Sequence, residues 1–309
     1  PLDISSEVQA MGGYVNAYTS YDRTVYYIDC PVESVDQTLD ILGDMAFNTR
    51  LDGADLESER DVILREIDMG VDDPDRSLFY AFAETAFRGH AYQYPVIGLR
   101  PLFEKINDAD LRAYYKRRYV PNNMTLVVVG DLERETLERL VNAHFGSAPM
   151  ANLPPATPPA IPPQLAPREV RQSGDFQLVR GMVGYKIPGI AHADSPALGV
   201  LANVLGSGQS SLLFQRLRDE KRLVHHISAG CWSQVDSGIF FISYFCDPGK
   251  REAVEAEIEA VFETAKAADF EQKAVEKVVR QTIVAEVNSR KSMAGQAGRL
   301  GAAEGAYGG

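Results

Sequence analysis

Ser147-Ala-Pro-Met-Ala-Asn-Leu-Pro-Pro-Ala-Thr-Pro-Pro-Ala-Ile-Pro-Pro-Gln-Leu-Ala-Pro167 packs eight prolines into the middle of a 309-residue chain. Proline fixes φ and removes a backbone donor, so this stretch holds neither a helix nor a central strand. It reads as an extended linker in polyproline II conformation. No basic residue flanks the prolines before Arg168, which argues against an SH3-type ligand. The expected organisation is therefore an N-terminal domain over 1–146, a linker over 147–172 and a C-terminal domain over 173–309.

On both sides of the linker, strand and helix signals follow one another in the same order. Before it, Thr24–Cys30 is a β-rich run and Val35–Phe47 has helical periodicity. Further helices are expected over Leu56–Met69 and Leu78–Phe87. Another, capped by Asp108 or Asp110, ends near Tyr119. Met124–Val129 reads as an apolar strand and Glu133–Phe145 as a helix. After the linker come a strand at Gln177–Ile187 and helices at Ser195–Leu205 and Leu212–Arg222. Strands at His226–Ser233 and Gly238–Phe245 follow, then helices over 250–267 and 271–290. A strand-then-helix-pair order in both halves implies an α+β domain that occurs twice.

Composition narrows the function classes. A chain with 45% hydrophobic and 24% charged residues and no long apolar run is expected to be globular, with no membrane span. A net charge of −12 argues against nucleic acid as a partner and suits a cationic peptide or protein substrate. Cys30, Cys231 and Cys246 are too few and too scattered for a disulfide framework or a cysteine zinc site, and read as free thiols.

Glu59 and Glu66 are seven residues apart within the Leu56–Met69 helix. Two helical turns take 7.2 residues, so both carboxylates fall on one face. That suits one carboxylate that ligates a metal and a second that supports it. The plainer reading is a solvated charged face with an Asp61–Arg65 ion pair at i,i+4.

The motifs in sequence order carry a resemblance. Gly12-Gly13-Tyr-Val-Asn16-Ala17-Tyr18-Thr19-Ser20 resembles the GG-x-x-NA-x-T-S segment of the pitrilysin/insulinase family of zinc metallopeptidases. Glu59-Arg-Asp-Val-Ile-Leu-Arg-Glu66 is similar to that family's distal glutamate motif. Gly89-His90 with Pro95-Val-Ile-Gly98, Tyr119-Val-Pro121-Asn122 and Val128-Val-Gly130-Asp131 continue the match. Leu205-Gly-Ser-Gly-Gln-Ser-Ser-Leu-Leu-Phe-Gln-Arg-Leu-Arg218 extends it into the second half, so it covers essentially the whole chain. Each piece is short; the specificity lies in their order and spacing.

The resemblance implies two related α/β-sandwich domains, each a mostly antiparallel sheet with helices on one face, both truncated at their outer ends. It also implies a zinc metalloendopeptidase that cleaves peptides or unfolded polypeptides. Zinc in this family is held by the two histidines of an HxxEH motif and a distal glutamate, which leaves a fourth position for water. Glu66 matches the distal ligand and Glu59 its supporting neighbour. Asn16, Ala17 and Tyr18 match the edge strand on which a peptide is laid as an added strand. Arg218 matches a substrate-gripping arginine, and His225 stands where the family's tyrosine is found.

One departure bears on every functional reading: no HxxEH occurs in these 309 residues. His90 reads as a lone surface loop histidine, and His225-His226 as neighbours on opposite faces of a strand. The chain alone is therefore expected to bind no zinc, with Zn2+ belonging to an intact parent. The start at Pro1 favours a fragment of an active peptidase. A non-catalytic paralogue that pairs with a homologous active subunit is the alternative, and a structural assembly protein a third.

Overall fold

The computed structural model describes residues 2–51, 53–153, 160–267 and 270–307. They form two compact units. The first comprises Pro1–Asp68, Val96–Thr157 and Ser289–Gly309, the second Met69–Pro95 and Pro158–Asn288. Both combine helices with antiparallel sheet, the α+β class expected. Pro154-Pro155 and Pro158-Pro159 of the linker lie outside the described residues; the described parts of 147–178 contain no helix or strand.

In the first unit, α1 (Leu2–Ala10) leads into a hairpin of β1 (Tyr14–Thr19) and β2 (Thr24–Asp29), paired in register from Tyr14↔Asp29 to Thr19↔Thr24. The Gly12-Gly13 pair makes this entry possible. Gly12 takes a φ of +76°, and a Cβ on Gly13 would sit 2.8 Å from the Asp29 carbonyl oxygen and 2.9 Å from Val8 Cγ1. Helix α2 (Val35–Phe47) packs on α7 (Arg134–Phe145) through Leu39, Ile41 and Leu140, with Phe47 edge-on to Phe145 at 5.9 Å. Between them in the chain come α3 (Gly53–Asp72), the single turn α5 (Arg100–Phe103) and α6 (Asp108–Arg118), together with α4 (Pro74–Ala86), which belongs to the second unit.

Two details of this unit differ from the sequence reading. The cap of α6 is Asn107, not Asp108 or Asp110. Met124–Val129 is not a strand: it has no ladder partner among the described residues. Val127, Val128 and Val129 are partly covered, while Met124 and Leu126 are exposed. Helix α11 (Met293–Tyr307) passes close enough that a Cβ on Gly301 would lie 3.7 Å from Val127 Cγ2.

In the second unit, β3 (Val179–Pro188), β4 (Val224–Ser233) and β5 (Ser237–Cys246) form an antiparallel sheet in the order β3-β5-β4. One face is a continuous core. Phe240, Ile242, Tyr244 and Cys246 of β5 pack on Leu205 of α8 (Ser195–Gly206), on Leu213 and Leu217, and on Val254 and Ile258 of α9 (Arg251–Ala267). Helix α4 covers the other face, where Phe79 stands edge-on to Trp232 at 5.4 Å and Phe82 fills the space left by Gly184. Phe214–Glu220 is a π-helix rather than the α-helix expected over Leu212–Arg222. Helix α10 (Gln272–Ser289) follows α9. All three cysteines are free thiols.

Candidate functional site

Helix α3 presents Glu59 and Glu66 as exposed carboxylates. Neither has a hydrogen-bond or ion-pair partner among the described residues. The expected Asp61–Arg65 pair does not form; Arg60 reaches Glu57 at 3.5 Å instead, and its guanidinium lies 5.8 Å from the centre of the Phe103 ring. Arg100 of α5 donates to the carboxylate of Asp68 and to the Leu64 carbonyl at 3.3 Å. Ile67 is buried. The helix is thus held along the side that carries Arg60, Leu64, Ile67 and Asp68, while Glu59 and Glu66 stay free.

These residues alone do not fit a zinc ion. Among the described residues no cluster of three or more His, Cys, Asp or Glu side chains has metal-binding geometry. A single carboxylate supplies one ligand of the three that a catalytic zinc takes from protein.

Asn16, Ala17 and Tyr18 are exposed on β1, which among the described residues pairs only with β2. Its other edge therefore offers backbone donors and acceptors to an added strand. Asn16 is held locally: its Nδ2 donates to the Tyr14 hydroxyl at 2.6 Å and its Oδ1 accepts from Ala17 N at 2.8 Å.

In the second unit, Arg218 and His225 line one recess of about 400 Å3 together with Arg222, Asp247 and Lys250. A bulge between Val224 and His226 takes His225 out of the β4–β5 register. It places Nε2 2.6 Å from Asp247 Oδ1. Lys250 Nζ lies 2.8 Å from Asp247 Oδ2. Lys250 first, and His225 second, hold the Asp247 carboxyl down at about 2. His226 goes elsewhere, against the Phe245 ring at 5.4 Å. Arg222, Asp247 and Lys250 are absent from the sequence reading. Their signal is the hairpin itself: with Val224 paired to Cys246, the residues just before β4 and just after β5 must meet.

His90 is not a surface residue. It is 1% exposed, its Nδ1 accepts from Tyr92 N at 3.2 Å, and its ring packs on Tyr92 at 4.4 Å. Its Nε2 points to Asp236 Oδ2 at 3.4 Å, which ties the 87–95 loop to the β4–β5 turn.

Comparison with known proteins adds the family. The model described as Insulinase (Peptidase family M16) matches residues 2–100, and that described as Peptidase M16 inactive domain matches residues 105–282. The chain belongs to peptidase family M16. A relative, an uncharacterized zinc protease of Mycobacterium leprae, is 30% identical over 251 residues, 81% of this chain and 56% of that protein. The mitochondrial-processing peptidase subunit beta of Caenorhabditis elegans is 29% identical over 66% of this chain and 44% of its own length. The crystal structure of a protease from Helicobacter pylori superposes with a TM-score of 0.90 at 26% identity, covering 97% of this chain and 74% of that one. The chain thus spans a little over half the length of curated relatives such as the first. Among its described residues no helix is long and apolar enough to cross a membrane.

Proposed function

We propose that this chain is part of a zinc metalloendopeptidase of the pitrilysin/insulinase type that cleaves peptides or unfolded polypeptides. In this reading Glu66 is one zinc ligand and Glu59 supports it from the same face. The two histidines and the general base of HxxEH, which these 309 residues do not contain, come from the rest of the protein. The peptide is laid along β1 beside Asn16, Ala17 and Tyr18, and Arg218 and His225 bind it further along. The observation that carries the reading is the state of α3: a helix clamped by Arg60 and Arg100 that leaves Glu59 and Glu66 exposed and unpartnered. No basic residue stands three or four positions from either glutamate, so the helix supplies them no partner of its own and both remain available.

The test compares two proteins. The product of the complete reading frame is expected to hold one zinc per chain and to lose peptide hydrolysis in EDTA; Glu66→Gln should cut bound zinc well below one. The 309-residue chain alone should hold no stoichiometric zinc. A Glu66→Gln protein that keeps its full zinc, measured by elemental analysis, overturns the assignment. The relative named as a processing-peptidase subunit supports a second reading, a non-catalytic partner of a homologous active subunit. In that case the complete protein binds no zinc and co-purifies with the second subunit.

A further inference from the structure

Several arginines in this protein are neutralised locally. Arg100, Arg134, Arg171, Arg180, Arg216 and Arg251 each lie within 3.2 Å of a carboxylate oxygen. Two arginines of the recess beside the β4–β5 hairpin are not. Neither Arg218 nor Arg222 has a carboxylate partner among the described residues. Arg218 lies over the Phe214 ring at 4.8 Å, and the Lys250 ammonium bonds to the backbone carbonyl of Arg222 at 3.3 Å. With Arg218, Arg222 and Lys250 set against Asp247, three fixed positive charges face one negative one. The lone carboxylate is occupied by Lys250 and His225, so both guanidinium forks remain free.

The backbone here is unusual too. Arg222 adopts a φ of 52°, a left-handed conformation that arginine rarely takes, and is held there by the bond from Leu223 N to Leu217 O at 2.8 Å. Arg218 belongs to the π-helix, a form that recurs at functional sites because it re-aims side chains. The π-helix and the left-handed turn that closes it thus deliver two unpaired guanidiniums to one concave surface.

We infer that this recess is a carboxylate-binding subsite that takes an anionic group of the bound peptide and gives the protein a preference for acidic peptides. The inference rests on Arg218 and His225 as substrate-binding residues and adds Arg222 and Lys250 with a charge chemistry. Guanidinium pairs carboxylate in a planar, bidentate geometry that lysine alone does not offer. The carboxylate comes from an Asp or Glu side chain or from the peptide's C-terminus; a volume of about 400 Å3 admits either. The overall charge of −12 does not oppose this. It acts at long range and is screened over about 8 Å at physiological salt, whereas the recess acts by contact.

The experiment is fluorescence anisotropy with labelled peptides of one sequence, carrying Glu or Gln at a single position, each as free acid and as C-terminal amide. The unmodified protein should bind one acidic form about tenfold or more tightly than its neutral counterpart, since a charge-assisted bond contributes at least that much. Loss on Glu-to-Gln exchange identifies a side-chain source, and loss on amidation the C-terminus. Arg222→Asn, chosen because asparagine tolerates the left-handed backbone, and Arg218→Gln should each erase most of the preference. Glu252→Gln, on the exposed side of α9, should leave it intact. If Arg222→Asn alters the circular dichroism melt, Lys250→Met serves instead. Equal affinity for acidic and neutral peptides, no peptide binding at all, or a preference that survives Arg218→Gln overturns the inference. A protein that prefers acidic peptides but holds no zinc and cleaves nothing refutes the peptidase reading and leaves the subsite standing. A zinc-dependent peptidase indifferent to peptide charge does the reverse.

Discussion

Asn107 fixes where α6 begins. Its Oδ1 accepts from Ala109 N at 2.9 Å and Asp110 N at 3.1 Å, while the Asp110 carboxylate accepts from Asn107 N at 3.0 Å. Three backbone donors that a helix start leaves orphaned are thereby satisfied. Asn107→Ala removes two of these bonds and should cost about 1 kcal/mol, with Asn107→Asp recovering most of it; urea unfolding measures both. An Asn107→Ala protein as stable as the parent would show that the box is ornamental. Asp108 or Asp110 is the cap expected from the sequence; Asn107 beside them forms caps as well, and residue type alone does not rank such neighbours. What ranks them is the chain's entry angle, set by tertiary packing. The same limit hid His90: Gly-His in a loop reads as exposed until Phe87, Tyr92 and Trp232 are seen to enclose that loop. The Gly12-Gly13 pair, by contrast, was legible, because only glycine meets both a positive φ and a close backbone approach.

At the scale of elements, α11 runs against propensity. Met293–Tyr307 carries Gly295, Gly298, Gly301 and Gly305, each costing about 1 kcal/mol relative to alanine in a helix interior. The glycines are not equivalent. A Cβ on Gly298 meets nothing within 4 Å, whereas one on Gly295 would fall 2.0 Å from the Ser289 carbonyl oxygen. Gly298→Ala should therefore raise stability by roughly 0.5–1 kcal/mol and Gly295→Ala should lower it; the two melting temperatures are expected to move in opposite directions. If both variants shift the same way, α11 is not packed as described. The glycines explain why no helix is expected after residue 290 from the residue pattern alone. The Met124–Val129 run failed in the opposite sense. Its β-branched, apolar composition is right for a strand, but ladder formation needs a partner, and composition says nothing about that. In the second unit β5 was legible because its nearly continuous apolar run is that of a strand covered on both faces. The π-helix was not, since one widened turn leaves the helical period almost unchanged.

Over the whole molecule, the acidic excess meets its local compensation, and the balance is readable as a pH dependence. Four carboxyls are held below their ordinary range by distinct partners. Asp247 sits at about 2 because of Lys250, and Asp73 is lowered by the Arg76 backbone N–H at the start of α4. Glu169 is lowered by Arg171, and Glu257, a buried residue of α9, by Lys221 and then Arg216. Unfolded, these groups return to 3.8 for aspartate and 4.5 for glutamate. A carboxyl whose folded value is depressed contributes stability that is full above its unfolded value. That stability is lost as pH falls toward the folded value, because the unfolded chain binds protons the folded one refuses. Relief of self-repulsion from the −12 net charge acts the other way, but it too starts only when carboxyls protonate, and between exposed charges it is largely screened. The local pairs therefore decide the sign. The melting temperature should be nearly level from pH 7 to 5 and fall steadily from about 4.5 toward 2. Glu257→Gln, which removes the one buried member of the set, should be less stable at pH 7 and show a shallower acid limb. A melting temperature that rises on acidification below 4.5 would mean that the general charge, not these four contacts, governs the fold.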